Sequence, residues 1–244
     1  MDSFKIPEFI LVNTQIPENL GASARVMLNF GQKNLKTVCP EFDLKNEKIL
    51  PLAAGADKVI YNIKNYPTLQ KAVENLNIVI GTTNRIRSIK KKQISFANLN
   101  RLLTDNKNNI GIIFGPEKSG LNNDDISICD FVLEINTNNS FSSLNLSHAV
   151  AIVSYEIMKG KEKNNKKGIK KKSKITELAS KKELLNFFSI LENNLSETYF
   201  FNVKEREKIL KQKIKNIFNK LELTSNDLQT LLGIIKSLRK TSKK

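Results

Sequence analysis

Over the first 160 residues, short apolar runs recur between stretches whose apolar positions fall three or four apart. The runs are FILVN (9–13), LKTVCP (35–40), KVIYN (58–62), IVIGTT (78–83), IGIIFG (110–115) and FVLEI (131–135). A strand with one wet face alternates apolar and polar residues, whereas near-continuous apolar runs suit strands covered on both faces. The helical spacing predicts a helix over 18–30, stopped by Gly31 as a C-cap, and another over about 67–76. Two more follow, one from near Ser95 to before Asp105 and one from about Ser143 to Lys159. Alternation of this kind predicts an α/β fold, a mostly parallel sheet with helices on both sides.

Beyond residue 160 the pattern changes. Residues 161–174, KEKNNKKGIKKKSK, hold eight lysines and only Ile169 as a large apolar residue. Such a segment buries too little surface to fold and reads as a flexible cationic linker. From 176 onward only helical patterns occur. One opens at a possible capping box at Thr176 and carries Leu184, Leu185, Phe187, Phe188 and Leu191. A second covers about 203–221, and a third, capped by Thr224 or Ser225, runs 226–239. The expected organisation is an α/β domain at 1–160, a basic linker at 161–175 and a small all-α domain at 176–244.

Composition narrows the partners. The chain carries a net charge of +16, distributed unevenly: residues 1–160 hold 18 Lys/Arg against 15 Asp/Glu, and residues 161–244 hold 22 against 9. A basic excess of that size points to a polyanion, although a Lys-, Asn- and Ile-rich genome would also raise it. No apolar run reaches the roughly 18 residues of a membrane span, and the N-terminus lacks a signal-peptide pattern. Cys39 and Cys129 stand far apart without a CxxC or Cys/His grouping, which disfavours a disulfide or a metal site and makes a reducing cytoplasm the default. GPEKSG (115–120) misplaces the lysine for a phosphate loop, and no GxGxxG follows a strand. His148, the only histidine, lies in LSHAVAIV and reads as a packing or surface residue.

Three Gly/Ser/Asn-rich loops remain, each after a strand: PENLGASAR (17–25), IFGPEKSGL (113–121) and NNSFSSLNLSHAVA (138–151). In open α/β folds ligands bind beyond the carboxyl ends of the strands, where such loops offer backbone N–H groups without bulk. Ser143 and Asn145 stand at a helix start, where simple capping also accounts for them.

Together these loops carry a family resemblance. NLGASAR resembles the N-x-G-x-x-A-R motif of the SpoU-type RNA ribose 2′-O-methyltransferases of the SPOUT superfamily. FGPEKSGL is similar to their G-x-E-x-x-G-L motif, and SSLNLSHAVA to their S-L-N-x-S/A-x-A motif. GTTNRIRS (81–88) and the helical extension are similar to one branch, the TrmJ tRNA methyltransferases. The resemblance implies a C-terminal trefoil knot in the α/β domain, S-adenosylmethionine as cofactor and a homodimer whose site draws on both subunits. It implies cofactor contacts at Thr82, Thr83, Asn84, Gly115, Ile135, Ser142, Ser143 and Leu144. Arg25 matches the family's essential arginine, with Asn19, Glu117, Ser143 and Asn145 at its other site positions. A guanidinium stays protonated, so an electrostatic clamp fits Arg25 better than a general base. Glu117 is expected to accept a hydrogen bond that fixes either Arg25 or the loops. Val26, Met27 and Phe30 belong to the core or to a subunit interface. Arg85, Arg87, Lys90, Lys91 and Lys92 add a cationic patch beside the cofactor loop, suited to RNA phosphates. The TrmJ branch implies methylation of tRNA nucleotide 32; the rivals are the same chemistry on ribosomal RNA, a non-catalytic RNA-binding relative and a basic structural protein.

Overall fold

The computed structural model describes residues 4–83, 91–104, 107–138, 140–167 and 176–241. Seven strands form one sheet: β1 (Glu8–Val12), β2 (Leu35–Val38), β3 (Lys64–Tyr66), β4 (Ile78–Thr82), β5 (Lys92–Gln93), β6 (Ile110–Phe114) and β7 (Phe131–Leu133). Their order is β3-β2-β1-β6-β4-β7-β5, and every pairing among them is parallel. The continuous apolar character of the central strands now has its reason. On β1, Phe9 and Leu11 enter one core while Ile10 and Val12 enter the other, on the opposite face. Phe9 stacks on Phe114 of β6 with ring centroids 5.6 Å apart.

Helix α1 (Pro17–Asn29) covers the first face with α5 (Phe96–Thr104) and α7 (Leu146–Lys167), and α1 ends at Gly31 with φ +72°. The small residues of its first turns are turned inward. Gly21, Ser23 and Ala24 are buried, and a Cβ on Gly21 would collide with the Ile49 carbonyl of α2 (Ile49–Ala53). They exist for close helix–helix approach. The opposite face carries α4 (Leu69–Val73) and α6 (Asn123–Ile128).

Several expectations are corrected. KVIYN is not a strand but a one-turn helix, α3 (Asp57–Tyr61), following Ala54 and Gly55, both at positive φ. Only the adjacent Val59 and Ile60 are buried there, and a five-residue apolar run cannot separate one helical turn from a strand. The strands taking its place in the sequence pattern, β3 (KNY) and β5 (KQ), are short and polar because they form the sheet's two edges. Helix α7 does not stop at Lys159; it continues through Lys167, half-way into the expected linker. Lysine and glutamate are good helix formers once a helix has been nucleated. Residues 168–175 lie outside the described residues.

The C-terminal segment forms α8 (Lys181–Glu197), α9 (Lys204–Phe218) and α10 (Ser225–Thr241). The cap of α8 is Ser180, boxed with Glu183, and not Thr176; α10 is capped by Thr224 with Asp227. Phe187, Phe188, Leu184 and Leu228 make their core, with Phe218 edge-on to Phe187 at 4.9 Å. These helices dock on the α4/α6 face. The Lys181 ammonium, 2% exposed, pairs with Asp130 at 2.6 Å, and its backbone N–H donates to the Leu76 carbonyl. Asn219 of α9 donates to the Ser127 carbonyl of α6 at 2.8 Å, and Gln212 to Asp124 at 2.7 Å. Among the described residues, no helix is long and apolar enough to cross a membrane.

The two thiols differ sharply. Cys39 is exposed, while burial pushes the Cys129 thiol up to about 12. A thiolate-selective reagent at pH 8 is expected to modify Cys39 quickly in the native protein and Cys129 only after denaturation. Two fast thiols would contradict this placement.

Candidate active site

The loops that follow β1, β6 and β7 meet, beside the end of β4, at the carboxyl edge of the four adjacent central strands. Here a cleft enclosing about 110 Å³ is lined by Thr82 and Thr83 after β4, by Phe114, Gly115, Pro116, Glu117 and Gly120 after β6, and by Ile135, Ser143, Leu144, Leu146 and Ala149. That is less than the roughly 300–1,000 Å³ of most ligand sites, so a ligand of that size would also occupy space beyond this lining. Asn84 and the residues through Lys90, which directly follow Thr83, lie outside the described residues, and with them Arg85 and Arg87.

Loop 115–121 is shaped by its glycines. A Cβ on Gly115 would collide with the backbone of Gly120 and Leu121, and Gly120 itself sits at φ +62°. The loop thereby folds tightly, with the Gly120 N–H donating to the Pro116 carbonyl at 2.8 Å. Backbone groups and the apolar side chains of Ile135 and Leu144 make the walls. Of the eight expected cofactor positions, Thr82, Thr83, Gly115, Ile135, Ser143 and Leu144 line the cleft. Ser142 lies just outside it, its carbonyl accepting from Thr137 Oγ1 at 3.2 Å.

Beside the cleft, a chain of side-chain hydrogen bonds ties the three loops together. Glu117 accepts from Asn19 Nδ2 at 2.8 Å through Oε1, and from the Gln15 N–H at 3.0 Å through Oε2. Asn19, buried on the first turn of α1, accepts in turn from Asn145 Nδ2 at 2.9 Å. Asn145 Oδ1 accepts from the Ser147 N–H at 2.8 Å and from Ser147 Oγ at 2.7 Å, capping α7. Asn145 therefore caps α7, as its place at a helix start suggested, and in addition joins the relay. Glu117 fixes the loops and does not touch Arg25. Ser147 and Gln15 complete the network without having been singled out in the sequence. The Asn-x-Ser spacing at a helix start was the signal for Ser147. Ser143 lines the cleft but takes no part in the relay.

Replacing Asn19 with alanine leaves the Glu117 carboxylate and the Asn145 amide each short of a partner, at a cost of about 1–3 kcal/mol. A melting temperature roughly 2–10 °C lower is the expected reading by calorimetry. An unchanged value would remove the relay's structural role.

The remaining positions divide. Arg25 is exposed on α1 and does not line the cleft of its own chain, with no hydrogen bond or ion pair to any described residue. Met27 belongs to the core, and Val26 packs against it. Phe30 meets Tyr155 of α7 edge-on at 5.7 Å, and Leu28 and Tyr155 remain 44% and 45% exposed nearby. Lys91 is corrected as an RNA contact. Its ammonium is turned inward, donating to the Cys129 carbonyl at 2.6 Å and the Ser127 carbonyl at 3.1 Å, and burial lowers its pKa to about 8. Lys92 stays exposed, over the Phe131 ring at 5.5 Å. His148 is exposed. Among the described residues no group of His, Cys, Asp and Glu is placed to hold a metal ion.

Residues 8–155 match the model of the SpoU rRNA Methylase family, more than half of the chain. The chain belongs to this family. It is 34% identical over 234 residues to the tRNA (cytidine-2′-O-)-methyltransferase TrmJ of Methanocaldococcus jannaschii, covering 93% of this chain and 97% of that one. The crystal structure of TrmJ from Z. mobilis ZM4 superposes with a TM-score of 0.86 at 32% identity, over 96% of this chain and 99% of that chain. The SpoU methyltransferase AviRb from Streptomyces viridochromogenes, in complex with the cofactor AdoMet, shares the fold, with a TM-score of 0.51 at 17% identity over 64% of this chain and 58% of that one. A family member with this cleft is a methyltransferase, and the parallel sheet and C-terminal helices are those of its TrmJ relatives.

Proposed function

We propose that this chain transfers a methyl group from S-adenosylmethionine to a ribose 2′-OH of tRNA, at nucleotide 32 of the anticodon loop. The observation that carries the reading is the relay of Glu117, Asn19, Asn145 and Ser147, which locks three family motifs around one cleft at the carboxyl edge of the sheet. The TrmJ relatives, named for 2′-O-methylation of tRNA, support the substrate, and the AdoMet-bound AviRb supports the cofactor.

The residues present fit that cofactor. Only glycine at 115 lets the loop fold this tightly against Gly120 and Leu121 at the cleft wall, and Ile135 and Leu144 offer apolar walls for an adenine. Thr82, Thr83, Gly115, Ile135, Ser143 and Leu144 would hold it, and Asn84 and Ser142 complete the proposed set. When bound, S-adenosylmethionine supplies an electrophilic methyl on a sulfonium, which departs as a neutral thioether. The chain's own task is to present the 2′-oxygen in line and to stabilise the charge that develops as its proton leaves for solvent. Arg25 serves as the clamp on that oxygen or the adjacent phosphate. Because Arg25 is exposed and does not line the cleft of its own chain, the reading includes a homodimer in which Arg25 of a second copy reaches the site. The exposed Leu28 and Tyr155 beside it are surfaces such a copy would cover. The knotted backbone expected of the family and a basic 176–244 module gripping RNA belong to the same reading, as does a cytoplasmic location.

Mapping 2′-O-methyls in RNA from a strain lacking the gene tests the substrate. Loss of the methyl at tRNA nucleotide 32 is expected; its retention refutes the position. Calorimetry tests the cofactor. No S-adenosylmethionine affinity, with or without tRNA, would overturn the enzyme reading.

A further inference from the structure

The turn joining α8 to α9 reads YFFNV (199–203), three consecutive aromatic residues followed by the basic positions Lys204, Arg206 and Lys208. Tyr199 is 87% exposed and sits at φ +58°, a left-handed backbone that non-glycine residues adopt at a cost. Its hydroxyl bonds to no described residue, and Phe200 beside it is 48% exposed. Phe201 anchors the turn, edge-on to Phe200 at 5.2 Å with the Lys211 ammonium 5.4 Å above its ring. Arg206 follows on the first turn of α9, exposed and without an ion pair to any described residue.

The position of this turn follows from how α9 lies on α6. Gln212 and Lys208 meet Asp124 near the start of α6, whereas Asn219 meets the carbonyls of Ser127 and Cys129 at its end, so the two helices run in the same direction. Helix α6 starts at the carboxyl edge of the sheet, directly after loop 115–121. The residues of α9 before Lys208 and Gln212 therefore project past that edge by about 6–12 Å at 1.5 Å per residue. The aromatic turn thus stands past the carboxyl edge on the α6 side of the sheet.

We propose that Tyr199 and Phe200 form a stacking platform for unpaired nucleobases of the RNA substrate, with Arg206 on the flanking phosphate. The inference rests on the RNA reading above and extends it to a specific site. Aromatic faces stack any unpaired base, and a neighbouring cation supplies the sequence-independent contact. The C-terminal third as a whole holds 22 basic residues against 9 acidic ones, and Arg206 follows the turn, which favours a polyanion over a second copy of the same sign.

The chain has no tryptophan, so Tyr199→Trp gives a single reporter at the platform. Its fluorescence is expected to be quenched saturably by tRNA and left unchanged by a fully paired RNA duplex of equal charge. The double variant Tyr199→Ala/Phe200→Ala, with unchanged circular dichroism, is expected to bind tRNA about 10-fold or more weakly. Retention of tRNA by the Trp variant in a gel shift without quenching overturns the platform alone. Equal quenching by duplex overturns it too, as does a change with protein concentration in the absence of RNA. Failure of the unsubstituted chain to bind tRNA at all overturns the RNA reading itself.

Discussion

Replacing Arg25 with alanine is expected to lower kcat by roughly 10²–10³-fold, the usual loss on removing a preorganised donor from developing charge. S-adenosylmethionine affinity is expected to stay within a few-fold, because Arg25 is absent from the cleft of its own chain. Arg25→Lys should recover only part of the rate, since an ammonium keeps the charge but loses the two-pronged guanidinium geometry. A mixing experiment sharpens the point. Arg25→Ala chains and Gly115→Ala chains are each expected to be inactive alone, the first without its clamp and the second with loop 115–121 forced out of shape at the cleft wall. Mixed dimers contain one site with an intact cleft facing an intact Arg25, so activity should reappear on mixing. No recovery would place Arg25 in its own chain's chemistry, and a large loss of cofactor binding in Arg25→Ala would assign it a different role.

The second large effect concerns stability. Lys181→Met is expected to cost about 3–5 kcal/mol, because it leaves the Asp130 carboxylate without its cation in a nearly closed site. Asp130 Oδ2 keeps the Val79 N–H at 2.7 Å, but Oδ1 loses the 2.6 Å ammonium. The measured fall in melting temperature should be at least about 6 °C at 2–4 °C per kcal/mol for a chain of this size. Adding Asp130→Asn should restore part of the loss, since the stranded charge is then gone. A loss under about 0.5 kcal/mol would make the pair an ordinary surface contact.

The central strands and long helices were legible because burial on both faces leaves an unbroken apolar run, as in IGIIF, and burial of one stripe leaves helical spacing, as in Leu184, Phe187 and Phe188. Elements smaller than one period were not. Five residues of KVIYN are too few to show whether their apolar character belongs to a turn of helix or to a strand. The edge strands KNY and KQ lack the apolar signal altogether. In the site, motif order gave Asn19, Glu117 and Asn145, but not that they bond one another, since 126 positions separate Asn19 from Asn145. Lys91 illustrates the limit of charge reading. One lysine of a run of three is drawn inward by two helix-end carbonyls, a tertiary event that composition does not encode.

The two edges of the sheet have a further consequence. Strand β3 offers three residues and β5 two, with Lys64 and Lys92 exposed on them. A strand added at either end would find few free backbone groups to pair with and would have to bury an ammonium. Copies of this chain are thus denied growth by sheet extension, and an assembly that does form is built through other faces of the molecule.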